Sequence, residues 1–151
     1  MSPEAARGSR FKRVRDHSRG PSIGARRDSQ TTEDGSLRLS AACWMEIKTD
    51  IDGASLTLVG ELDMACKERF MDVLKARVAA RPRRLVIDLR SVTFIDSTGI
   101  ALLLTCRAAA QEDDFELYIV RSSAEIVHAV FEAAGVAKVL PLCDSPPQLR
   151  A

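Results

Sequence analysis

The sequence has no apolar stretch approaching the roughly 18 residues needed to cross a bilayer as a helix. No apolar segment of 7 to 15 residues follows the basic start of the chain, so a secretory signal is not expected. Histidine is scarce, with only His17 and His128, and the four cysteines (Cys43, Cys66, Cys106, Cys143) include no C-x-x-C pair. Zinc sites need closely spaced Cys and His ligands, so no metal is expected. There is no G-x-x-x-x-G-K loop to cradle a nucleotide phosphate and no paired-carboxylate motif, so neither a cofactor nor hydrolytic chemistry is expected. Without an export signal the expected compartment is the reducing cytoplasm. The thiols are then read as reduced and mostly buried, with a regulatory disulfide as the less favoured alternative.

Charge of one sign is concentrated in one place. Residues 1–27 carry eight basic and two acidic side chains, a net of +6, whereas the rest of the chain is net −5, which leaves +1 overall. Residues 1–42 are rich in Arg, Ser and Gly and lack sustained apolar periodicity. They are therefore expected to be a disordered basic tail, because they bury too little apolar surface to offset the entropy of ordering. The preferred role for this tail is a solvated arm with no direct nucleic-acid or membrane binding. Electrostatic steering of a partner is the alternative, and a translation start at Met45 would make the tail foreign to the protein.

The remaining chain reads as one domain over residues 43–146, with residues 147–151 a flexible end. Trp44–Ile51 reads as a strand closed by the turn D-I-D-G, and A-S-L-T-L-V-G-E-L as its hairpin partner. Gly60 inside that second strand suggests a bulge or a close backbone approach. Asp63–Ala80 has helical periodicity in Cys66, Phe70, Val73 and Leu74 and stops at Pro82. L-V-I-D-L (85–89) is the pattern of a strand buried on both faces in a parallel sheet. A covered helix over Ile100–Gln111 follows, then a strand over Phe115–Val120. A helix over Ser122–Gly135 is capped by Ser123 and ended by Gly135, and a short strand, K-V-L-P-L-C, closes the domain. The order β-β-α-β-α-β-α-β predicts an α/β fold with a mixed β-sheet flanked by helices.

The stretch F-I-D-S-T-G-I-A-L-L-L (94–104) sets an acid, two hydroxyls and a glycine before an apolar helix. As plain structure it is a helix N-terminus capped by Asp96 or Ser97. An aspartic-protease reading fails: one residue too many separates acid from glycine, and a helical rather than a β pattern follows.

The segment 85–104, with L-T-L-V-G-E-L-D (56–63) upstream, resembles the STAS domains, and more narrowly the bacterial anti-sigma factor antagonists. The resemblance spans roughly residues 45–144. It implies a STAS-like fold and a binding switch without enzymatic activity of its own. The unphosphorylated form would bind an anti-sigma factor of the GHKL serine-kinase type and release a sigma factor. Phosphorylation at the position matching Ser97 would end that binding, and a metal-dependent serine phosphatase would restore it. By the same resemblance Asp63, Asp96, Ser97, Thr98 and Gly99 form the partner-binding surface. Asp63 reads equally well as a helix cap, Thr98 is expected mainly to cap, and Gly99 either leaves the turn open or fits a tight junction. The alternatives are a scaffold subunit of a stress-signalling assembly, or a small-ligand sensor on the same fold.

Overall fold

The computed structural model describes residues 36–147. The basic segment up to residue 35 and residues 148–151 lie outside the described residues, and with them most of the expected tail and the end of the chain. Six strands form one sheet in sequence order: β1 (Ser36–Ser40), β2 (Cys43–Thr49), β3 (Gly53–Leu62), β4 (Arg84–Ile95), β5 (Glu116–Val120) and β6 (Leu142–Cys143). β1, β2 and β3 pair antiparallel, and every later pair is parallel. The helices α1 (Lys67–Ala79), α2 (Ser97–Asp113) and α3 (Glu125–Ala134) make the crossovers that parallel pairing requires.

The core follows from the strand alternation. Leu56, Leu58 and Leu62 of β3 and Leu85, Ile87 and Leu89 of β4 are fully buried, and α1 adds Phe70 and Leu74. All five residues of L-V-I-D-L are buried, as a strand with two covered faces should be. Gly60 has φ +111°, and a Cβ there would lie 2.1 Å from the Ala42 carbonyl oxygen, so this position must remain side-chain-free. The pairing register shifts beside it, the irregularity its sequence position suggests.

The fold departs from the sequence reading at several points. β1 falls within the segment expected to be disordered: Leu39 is fully buried, Arg38 stacks 4.8 Å over the Trp44 ring, and Arg69 donates to the Leu39 carbonyl at 3.4 Å. The ordered domain thus begins by Ser36 and not at residue 43, because β2 offers S-L-R-L-S an antiparallel edge that it cannot supply itself. Trimming the chain through Ala42 should cost at least about 2 kcal/mol, the scale of burying one leucine. It also removes the Ala42 carbonyl that accepts from Glu61 N–H at 2.9 Å. An unchanged urea midpoint for the trimmed protein would overturn this expectation.

The expected helix at Asp63 begins instead as a single 3₁₀ turn, Met64–Cys66, before α1 proper. The helix read as covered on nearly all sides exposes Ala101, Thr105 and Ala108, small residues that a solvent-facing stripe tolerates. Ser123 does not cap α3. Ser122 serves that junction, donating from Oγ to the Val92 carbonyl at 2.6 Å and accepting from Ala124 N–H at 2.9 Å. The last strand shrinks to two residues because Pro141 has no N–H for the ladder, while its carbonyl accepts from Ile119.

β4 also carries a buried carboxylate. Asp88 accepts from the Arg90 backbone N–H at 3.0 Å and from its guanidinium at 2.7 Å. Burial works against the Asp88 charge, but the Arg90 hydrogen bonds and guanidinium charge outweigh it and hold its pKa below the usual carboxylate range. A depressed folded-state pKa stabilises the fold above the unfolded-state value, about 3.9, and this contribution fades as pH falls through the lower, folded-state pKa. Asp88→Asn should therefore flatten the acid limb of the stability curve below about pH 4. Urea unfolding of both proteins from pH 2 to 6 checks this, and superimposable acid limbs would refute it.

Candidate functional site

The chemistry-bearing residues converge at the carboxyl ends of β3 and β4. Their parallel register places Leu62 beside Ile95, so Asp63 and Asp96 leave neighbouring strands at the same height. Asp96 N–H reaches back to the Leu62 carbonyl at 3.4 Å. Each aspartate then caps the helical turn that follows it. Asp63 Oδ1 accepts from Ala65 N–H at 3.0 Å, and Asp96 Oδ1 accepts from Gly99 N–H at 2.9 Å. Two helical N-termini therefore open side by side at the carboxyl edge of the sheet's two central strands. Asp96, and not Ser97, is the cap of α2, which frees the serine hydroxyl from structural duty.

Ser97 is the first residue of α2 and is exposed, and its hydroxyl has no hydrogen-bond partner among the described residues. Thr98 is half-buried beside it. Gly99 is buried, and a Cβ there would lie 2.3 Å from the Leu62 carbonyl oxygen. Its role in the turn is to let α2 pass the end of β3, and it offers a partner no side chain. The turn thus presents one free hydroxyl at the positive end of a helix dipole, next to first-turn N–H groups.

Sequence reasoning passed over two apolar neighbours. Phe94 pairs with the exposed Glu61, and Met64 directly follows Asp63; they are 39% and 69% exposed. Phe94 could have been read from its opposite phase to the buried Ile95, whereas Met64 gave no periodic signal. The edge combines exposed apolar area with the carboxylates Glu61, Asp63 and Asp96. Among the described residues there is no cluster of three His, Cys, Asp or Glu side chains placed to hold a metal ion, and no helix is long and apolar enough to cross a membrane. An anion placed at this helix terminus would be tolerated, since first-turn N–H groups and the helix dipole favour negative charge there.

Comparison with known proteins bears on the family and the fold. Residues 47–142 match a family model described as "Mlab, STAS domain". A STAS-domain containing protein of Pseudomonas aeruginosa is 35% identical over 77 residues, half of this chain and 75% of that protein. An anti-sigma-B factor antagonist of Staphylococcus aureus is 31% identical over 77 residues, 51% of this chain and 70% of that protein. Among solved structures, an anti-sigma factor antagonist from Mycobacterium paratuberculosis superposes with a TM-score of 0.62 at 24% identity, covering 71% of this chain and 92% of that one. The anti-sigma factor antagonist SpoIIAA in its unphosphorylated form superposes with a TM-score of 0.54 at 15% identity, covering 68% and 89%. At these identities the two structures establish the fold alone.

Proposed function

This chain belongs to the STAS domain family, with anti-sigma factor antagonists among its relatives, and from that premise we propose that it is a phosphorylation-controlled antagonist of an anti-sigma factor. Its unphosphorylated edge, formed by Asp63, Asp96, Ser97 and Thr98, binds an anti-sigma factor of the GHKL serine-kinase type, which then gives up its sigma factor. The kinase phosphorylates Ser97, the complex separates, and a metal-dependent serine phosphatase resets the switch. The protein contributes a surface and a hydroxyl, its partners perform the chemistry, and the cycle runs in the cytoplasm.

The observation that carries this reading is the division of labour at the turn. Asp96 caps α2, so the exposed Ser97 hydroxyl is free to be modified. A phosphate there adds a charge of about −1.5 to −2 at a place where the helix dipole stabilises anions. The fold therefore survives, while the approaching partner meets a new bulky anion beside Asp96. Phosphopeptide mapping after incubation with the cognate kinase and Mg-ATP should locate the phosphate on Ser97. Undiminished labelling of Ser97→Ala would reject the assignment and would direct attention to Thr98.

A further inference from the structure

The edge that Asp63 and Asp96 form gathers negative charge beside exposed apolar side chains. Glu61 is exposed and pairs across the sheet with the exposed Phe94, next to the Leu62–Ile95 pair that the two aspartates follow. Met64 comes directly after Asp63 and is likewise exposed. Each aspartate uses Oδ1 for its cap. Among the described residues, ion pairs form at Arg84–Glu116, Arg90–Asp88 and Arg121–Asp144, and none of them reaches this edge. An exposed apolar side chain standing singly needs no explanation. Two of them set among three carboxylates have the composition of a docking surface for a basic segment with apolar residues of its own.

The chain itself contains such a segment, within the stretch read from sequence as a solvated arm. Residues 7–15, R-G-S-R-F-K-R-V-R, carry five basic and no acidic side chains, with Phe11 and Val14 between them. We propose that residues 7–15 dock on the Glu61–Asp63–Asp96 edge of their own domain, Phe11 and Val14 against Phe94 and Met64, and the basic side chains against the carboxylates. The length of chain permits it. Ser36 pairs with Glu46, and Glu46 with Thr57, so the described chain starts level with Thr57. Asp63 lies six residues further along, about 20 Å at the rise of a strand. The 21 residues from Arg15 to Ser36 reach up to about 70 Å when extended. Sharing one chain also raises the local concentration of the segment to the order of millimolar, so that even a weak surface contact is populated.

Docking at this edge places residues 7–15 beside Ser97. The consequence for regulation rests on the function proposed above. The segment is then an internal competitor of the anti-sigma factor and shields the Ser97 hydroxyl. A phosphate on Ser97 adds negative charge to the edge, so it strengthens the internal contact while it weakens the external one. The charges involved are exposed, so the contact weakens as salt rises and the screening length shrinks.

Lys12 is the only lysine among residues 1–35, which makes it the reporter. A carbodiimide joins an ammonium to a carboxylate where the two are in contact. The full chain is treated at low salt, digested with trypsin and mapped by mass spectrometry. The expected product links Lys12 to the peptide holding Glu61 and Asp63, or to the one holding Asp96. Its yield should fall at least about fivefold when salt is raised to about 0.5 M. In an equal mixture of isotope-labelled and unlabelled protein, the link should lie within one isotopic species. The full chain carrying Phe94→Ser and Met64→Ser, both at exposed positions, should lose most of the link. Should that variant unfold, the wild-type map and its salt dependence decide. Lys12 left unlinked, Lys12 linked chiefly to other acidic side chains, equal yields at both salts, or an undiminished link in the folded double variant would each overturn the proposal. A link chiefly between labelled and unlabelled chains would overturn it as well, by assigning the segment to a second copy. The two readings fail separately: absence of any complex with an anti-sigma factor would refute the proposed function and leave the Lys12 link in place.

Discussion

Ser97→Glu is expected to bind the anti-sigma factor tenfold to a thousandfold more weakly than the wild-type protein, a loss of roughly 1.4 to 4 kcal/mol. Its stability should be nearly unchanged. Ser97 is exposed and its hydroxyl makes no hydrogen bond among the described residues, so the substitution breaks nothing in the domain. A carboxylate at the first position of α2 gains about 0.3–1 kcal/mol from the helix dipole, which offsets its repulsion from the capping Asp96. The partner encounters the same charge differently. On the proposed function it would approach a surface already bearing Glu61, Asp63 and Asp96, and the added anion would have to be desolvated in the interface. Calorimetric titration measures the difference directly, and equal affinities for the two proteins would contradict the mechanism. Ser97→Ala should retain wild-type affinity. The phosphorylated protein should be weaker than the glutamate variant, because phosphate carries up to about twice the charge of a carboxylate.

Gly99→Ala is expected to destabilise the domain by about 3 kcal/mol, the upper range for inserting a methyl group into filled space. The new Cβ would lie 2.3 Å from the Leu62 carbonyl oxygen and 2.6 Å from Ile95 Cγ1. A flexible side chain could swing away, but the Leu62 carbonyl belongs to the strand end that receives the Asp96 N–H. Relief must come from separating α2 from β3, which disturbs the Asp63–Asp96 edge together with the core. Urea unfolding gives the stability change, and a loss smaller than about 0.5 kcal/mol, the range of ordinary surface substitutions, would show that the junction is not tight. Ser97→Glu and Gly99→Ala, two residues apart in one turn, should separate cleanly, one altering binding and the other the fold.

The sequence alone determined the elements whose signals are local. L-V-I-D-L specified a strand buried on both faces, the spacing of Cys66, Phe70 and Leu74 specified the buried face of the first helix, and Gly60 marked an irregularity that its positive φ accounts for. The D-S-T-G turn and the G-E-L-D segment were legible as the motif of a family, and with them the order of strands and helices. Tertiary structure decided everything that depends on a partner distant along the chain. S-L-R-L-S has too little apolar content to be read as a strand, and becomes one because β2 supplies an antiparallel edge and the core has room for Leu39. Ser122 displaced Ser123 at the α3 junction because only its Oγ reaches the carbonyl of Val92, 30 residues earlier. Asp63 stands beside Asp96 only because β3 and β4 run parallel in that register. Periodicity records which side of an element is buried, whereas register, fixed by packing between elements, decides which residues face each other.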